Sequence, residues 1–206
     1  MNLTKKITLA LGLLVAGTSF AQETSSNGLL GQRYAEFNFS FIETDNVSKL
    51  SYEPGLRVNL PLIANQVDVG ATYDYARLRG PLRGHANSLS TYAVGYMALD
   101  GAKPFLGAAL SHTWTRLPLG LSDNSYGWSI VGGFEVPVGP VTLTPTITYS
   151  DDFDNGFGQG DVWTYRLEGN YWLTRQAALF AGVAKVDLHR EAVNIWTYDI
   201  GLRFRF

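Results

Sequence analysis

The sequence predicts an all-β chain that closes into a transmembrane, antiparallel, up-and-down β-barrel of ten strands, with eight as the alternative count. Three observations predict it. From Gln32 onward the dominant hydrophobic period is two, the side-chain period of a strand. The connections between the alternating stretches are short and long by turns, as in a barrel with tight turns on one side of a membrane and loops on the other. The chain also opens with an export address.

Composition bounds the answer before any strand is drawn. Of 206 residues, 46% are hydrophobic and only 17% charged, which is too apolar for a disordered chain. The absence of cysteine removes disulfide scaffolds, thiolate chemistry and cysteine-ligated metals. A formal net charge of −2 offers no basic footprint, so no nucleic-acid partner is expected. Residues 1–21 read as a signal peptide. Lys5 and Lys6 precede the apolar run Ile7 to Ala16, and Ser19 and Ala21 are the small residues of a cleavage site before Gln22. The run is shorter than the roughly 20 residues a membrane-spanning helix needs. Residues 22–31 are expected to form a short periplasmic tail, polar and disordered from Gln22 to Asn27, and 32–206 the barrel.

The ten stretches follow in order. The first sets Ala35, Phe37, Phe39 and Phe41 against Glu36, Asn38 and Ser40. The second sets Leu56, Val58, Leu60 and Leu62 against Arg57 and Asn59. The third sets Val67, Val69, Ala71, Tyr73 and Tyr75 against Asp68, Gly70, Thr72 and Asp74. In the fourth, Tyr92, Val94 and Tyr96 read as the lipid face against Thr91, Ala93 and Gly95. In the fifth it is Leu106, Ala108 and Leu110. The sixth has Trp128, Ile130, Phe134 and Val136 against Ser129, Gly133 and Glu135. The seventh places Val141, Leu143, Pro145, Ile147 and Tyr149 against four threonines, and the eighth Trp163, Tyr165, Leu167 and Tyr171 against Thr164, Arg166, Glu168 and Asn170. The ninth, from Leu179 to Val186, is apolar on both faces and leaves its register open. The tenth sets Trp196, Tyr198, Ile200, Leu202, Phe204 and Phe206 against Thr197, Asp199, Gly201, Arg203 and Arg205.

The connections after stretches two, four, six and eight are short: Ala64 to Gln66, Asp100 to Ala102, Gly139–Pro140 and Thr174 to Gln176. The others are longer and polar, such as Glu43 to Glu53 and Ser150 to Asp161. An even strand count puts both barrel ends on the side of the short turns. In lipid every backbone N–H and C=O must be paired, and only closure leaves no edge. Trp114, Trp128, Tyr149, Trp163 and Trp196, with Phe41 and Tyr75, fall where strands meet loops. Tyr96, Tyr171, Phe204 and Phe206 fall toward the turns. These read as the two aromatic girdles of a bilayer-spanning band. The competing architecture is a soluble sandwich or lipocalin-like barrel, in which the apolar faces would turn inward.

The C-terminal run Tyr198, Ile200, Leu202, Phe204, Phe206 resembles the β-signal of Gram-negative outer-membrane proteins, which ends in Phe with apolar residues at every second position. The segments Gly132 to Gly139 and Thr148 to Phe153 are similar to the small outer-membrane β-barrel, porin-like superfamily, as is Pro104 to Ala109. The resemblance covers nearly the whole mature chain. It implies an outer-membrane location and recognition by the barrel-assembly machinery, with lipid as the other partner, and it names no activity. Many members have eight strands.

The inward face carries Glu36, Arg57, Asp68, Asp74, Glu135, Arg166, Glu168, Asp199, Arg203 and Arg205. In a narrow barrel such charges must pair or stay hydrated. Paired, they plug the lumen and leave a closed barrel with an envelope-structural or surface-interaction role. Hydrated, they line a narrow channel for ions or small solutes. An enzyme is the least expected reading. Omptin-like proteases are similar in strand number, and His112 with Asp151 and Asp152 stands in the corresponding region, but the loops are short. In the manner of lipid A deacylases, Ser111 and His112 would be needed together, yet neighbours on a strand point to opposite faces. His85, His112 and His189 have no metal-ligand spacing. Asp151, Asp152, Asp154 and Asn155 lack a full calcium pattern. No cofactor, no metal and a monomer are expected.

Overall fold

The computed structural model describes residues 28–44, 51–78, 84–116, 122–153, 161–188 and 194–206. Ten strands follow one another: β1 (Tyr34–Thr44), β2 (Ser51–Ile63), β3 (Val67–Leu78), β4 (Gly84–Tyr96), β5 (Lys103–Arg116), β6 (Ser122–Val138), β7 (Val141–Asp152), β8 (Val162–Trp172), β9 (Ala177–Leu188) and β10 (Asn194–Arg205). Each pairs antiparallel with its sequence neighbours, and β1 pairs with β10 from Tyr34↔Arg205 to Thr44↔Ile195, closing the barrel. Among the described residues no strand edge is left unpaired, as the alternation and the turn pattern require. The count is ten, not eight. The leader, residues 1–21, and the tail from Gln22 to Asn27 lie outside the described residues.

The tight connections are local chemistry. Asn65 (φ 61°), Gly101 (φ 80°) and Gly139 (φ 62°) each turn the chain through the left-handed region at one end of the barrel. In the fourth turn Thr174 Oγ1 accepts from the N–H groups of Gln176 and Ala177 at 3.1 and 2.9 Å. This is the turn end, where Tyr34 and Phe206 also lie. The opposite, loop end carries the longer connections.

The barrel is apolar outside and polar inside. Phe37, Leu56, Leu106, Ile130, Ile147, Leu167 and Ile200 are exposed on its wall, while Glu36, Asp68, Thr142, Thr144, Glu168 and Arg203 are buried within. On nine strands this is the facing the alternation gives or, on β9, leaves open. There Ala178, Phe180, Gly182, Ala184 and Val186 point inward, and Leu179 and Val183 outward.

β4 corrects the reading. Tyr92, Val94 and Tyr96 are buried in the lumen, and Thr91, Ala93 and Gly95 face out. The reason lies on the neighbouring strands. Gly70, opposite Tyr92, leaves the space its ring occupies, and Gly107, opposite Val94, does the same for that side chain. Large residues on β4 fill what glycines on β3 and β5 vacate. Residues 28–31, read as tail, also belong to the fold: Leu29 and Leu30 are fully buried inside the turn end.

Candidate functional site

The candidate site is the lumen, and it is built in two halves. One half is ionic. Arg203, Glu36 and Arg57 are register neighbours across β10, β1 and β2. Arg203 Nε donates to Glu36 Oε2 at 2.8 Å, and Arg57 Nη1 lies 3.4 Å from the same oxygen. Arg203 Nη2 reaches Glu168 Oε1 at 2.6 Å, and Nη1 donates to Asn170 Oδ1 at 3.3 Å. Arg166 links Glu168 Oε2 (2.7 Å) to Asp199 Oδ2 (2.5 Å). These contacts join β8 to β10 across β9. They are possible because β9 presents small residues inward. A Cβ at Gly182 would lie 3.2 Å from both Arg166 Nη2 and Asp199 Oδ2. The aromatic inward side chain of β9, Phe180, lies under the Arg203 guanidinium, 4.0 Å from ring centre to Cζ.

Around this network lie further buried polar groups. Glu53, expected at the end of the connection from Glu43, is instead buried on β2 beside the ionic half. Asp74 and Asn38 fill the space a Cβ at Gly55 would need. Glu135 is buried and stands directly opposite Lys103 across the β5–β6 ladder, an opposite-charge cross-strand pair.

The other half is apolar. Leu30, Tyr92, Val94, Tyr96, Phe105, Ala109 and Val131 pack together inside the barrel. The N-terminal segment ties the halves at the turn end. Gly31 N–H donates to Asp68 Oδ2 at 2.8 Å, and Asn59 Nδ2 donates to that oxygen (3.0 Å) and to Gln32 O (2.9 Å). Tyr92 Oη donates to Asn59 Oδ1 at 3.1 Å. Arg205 donates to Gly28 O while its guanidinium stacks 3.5 Å from the Trp172 ring centre. The segment from Gly28 to Gln32 is therefore docked at the turn end by hydrogen bonds to its backbone.

All ten charged residues assigned to the lumen point inward. The ion network brings together Glu36, Arg57, Arg166, Glu168, Asp199 and Arg203. Asp68 and Arg205 instead hold the N-terminal segment, Asp74 lies with Asn38 at Gly55, and Glu135 stands opposite Lys103. Trp114, Trp128, Tyr149, Trp163 and Trp196 face outward near the loop end, with Trp128, Tyr149 and Trp163 in successive contact at 5.4 and 5.1 Å between ring centres. Tyr198, Ile200, Leu202, Phe204 and Phe206 form one exposed outer stripe. Tyr96 leaves the turn-side girdle, since its ring points inward.

The residues considered for catalysis are dispersed. His112 faces outward, stacked on Tyr126 at 4.2 Å and beside Trp114. Ser111 and Asp152 point inward by Gly127, and Asp151 faces outward. Asp154, Asn155 and His189 lie outside the described residues. Among the described residues no group of three His, Asp or Glu could hold a metal ion.

No family model matches this chain, and no curated protein does. Solved structures match in fold. The transport unit of the autotransporter AIDA-I from Escherichia coli aligns over the whole of both chains at 9% identity with a TM-score of 0.51. The outer membrane protease OmpT from Escherichia coli aligns over 88% of this chain and 100% of its own at 11% identity, TM-score 0.49. Neisserial surface protein A aligns over 84% of this chain and 97% of its own at 16% identity, TM-score 0.46. The likeness is one of architecture: the chain has the closed antiparallel barrel that recurs among outer-membrane proteins.

Proposed function

We propose that this chain is an integral outer-membrane protein of a Gram-negative cell whose barrel is closed. It passes no solute and serves as a rigid anchor presenting its loops at the cell surface. The observation that carries the reading is the packing inside the barrel: an ion network on one side, an aromatic and aliphatic cluster on the other, and Leu29 and Leu30 buried at one end. Eight strands leave an interior that side chains just fill and sixteen leave a channel; ten lies near the filled end.

The membrane location rests on the outer wall. Exposed Phe, Leu, Ile, Tyr and Trp cover every face of it, far beyond the few hundred Å² of apolar patch that soluble monomers expose. The shortest strands have 11 residues, enough to cross a bilayer when tilted. Export by the leader, lipid and the barrel-assembly machinery as partners, and a monomeric state complete the proposal. Catalysis is no part of it, since Ser111 and His112 face opposite sides of β5.

Planar-bilayer recording tests the closed state. The protein should leave the membrane silent at high loading. Steady, reproducible conductance steps would replace this reading with the narrow channel.

A further inference from the structure

On the outward face of β3, β4 and β5, Arg77, His85 and Arg116 are direct cross-strand partners in a single row at the loop end. Two guanidinium groups thus flank one imidazole on the outer wall. The outward positions of β3 to β6 carry no carboxylate among the described residues, whereas Glu43 on β1, Asp151 on β7 and Asp187 on β9 face outward at the same end. Arg77 Nη1 donates to the neutral Tyr52 hydroxyl at 3.2 Å. Among the described residues, the outer wall of β3 to β6 supplies no counter-anion to the two guanidinium groups.

The next rows down change character. Tyr75, Asn87, Trp114 and Asn124 align across the four strands, followed by Tyr73, Leu89, His112 and Tyr126. Tyr73 Oη donates to Asn87 Oδ1 at 2.7 Å. A cavity of about 560 Å³ opens here, with His85, Arg116, Asn87, Asn124, Trp114 and Tyr73 in its lining. Below it come Leu110 and Ile130, exposed on the wall. Four residues of strand separate the cationic row from the aromatic one, about 13 Å at the usual rise. Over that length the surface passes from cation to hydrogen-bonding amide to hydrocarbon.

We propose that this cavity binds the phosphorylated headgroup of an outer-leaflet lipid. Arg116 in its lining holds the phosphate, since a guanidinium matches its geometry, and Arg77, beyond His85 in the same row, brings a second guanidinium to the cavity's flank. Asn87 and Asn124 take headgroup hydroxyls, and the acyl chains run down past Leu89 and Leu110. The inference rests on the membrane location proposed above and names the surface that lipid meets.

The test uses the purified full-length mature barrel in detergent, incubated with diphosphorylated lipid A, with dephosphorylated lipid A, or with inorganic phosphate, and read by native mass spectrometry. One diphosphorylated lipid should remain bound. Arg77→Gln with Arg116→Gln should weaken retention at least tenfold, and Lys185→Gln, which removes a cation elsewhere on the outer wall, should not. Equal retention by the double variant, equal binding of the dephosphorylated lipid, or displacement by inorganic phosphate overturns the site. Insertion into phosphatidylcholine vesicles is measured in parallel. A barrel that inserts but retains no lipid A fails this inference alone, and one that does not insert fails the membrane reading itself.

Discussion

Arg203 Nε of the last strand donates to Glu36 Oε2 of the first at 2.8 Å, so a buried ion pair lies across the seam where the first and last strands meet. Both side chains are buried, and Arg203 also serves Glu168 and Asn170. Removing one member of such a pair leaves an uncompensated charge. Arg203→Met should therefore cost about 3–5 kcal/mol, read as a lower urea midpoint in detergent micelles. Adding Glu36→Gln should recover part of that loss, because coupled sites are not additive. A loss that is unchanged in the double variant would show that the seam is held by its backbone ladder alone.

Two glycines separate close approach from open space. A Cβ at Gly201 would meet the Phe37 carbonyl oxygen and the Phe180 ring, while one at Gly132 would find its nearest atom 3.9 Å away. Gly201→Ala should cost about 1–3 kcal/mol, and Gly132→Ala should stay within about 0.5 kcal/mol. The backbone oxygen decides the sign at Gly201, since Phe180 can rotate and the strand cannot. Equal unfolding midpoints for the two variants would contradict the packing around Phe180.

β4 offers a test of facing. Tyr92→Ala should cost about 3–5 kcal/mol for the void it opens, with a further loss where Asn59 Oδ1 no longer receives its hydrogen bond. Thr91→Leu places a larger apolar group on the outer wall and should be neutral or stabilising. The reverse order of the two midpoints would restore the facing that alternation alone suggests.

Period two, turn chemistry and strand length made the barrel, its ten strands and nearly all of its inner charges legible, because each reports on a local backbone. β4 failed because Thr91, Ala93 and Gly95 are small rather than polar, so its alternation ranks side-chain size and not destination. Its true facing depends on Gly70 and Gly107, on strands that meet it only after folding. Glu53 was missed because Pro54–Gly55 carries a turn's composition, yet β2 runs through both residues and begins at Ser51. Leu29 and Leu30 follow a polar stretch and have no period. That they dock at the turn end follows from the Asp68, Asn59 and Arg205 side chains there, and pairings so far apart in sequence leave no local trace.

The N-terminal seal should be separable from the barrel. A chain lacking residues 22–27 should match the full mature chain in stability and remain silent in bilayers. One lacking 22–30 loses Leu29 and Leu30 from the turn end and should show a lower unfolding midpoint and brief conductance events. Identical behaviour of the two truncations would remove the sealing role.

The absence of cysteine makes the central claim directly measurable, since each introduced thiol is unique. Single cysteines at 142 to 149 along β7, spin-labelled in vesicles, report collision with oxygen, which concentrates in hydrocarbon, and with a water-soluble nickel chelate. Labels at 143, 145, 147 and 149 should meet oxygen, and those at 142, 144, 146 and 148 should meet neither reagent. Even-numbered labels that collide freely with the nickel chelate would reveal a water-filled bore, and a profile without alternation would mean that this wall does not face lipid.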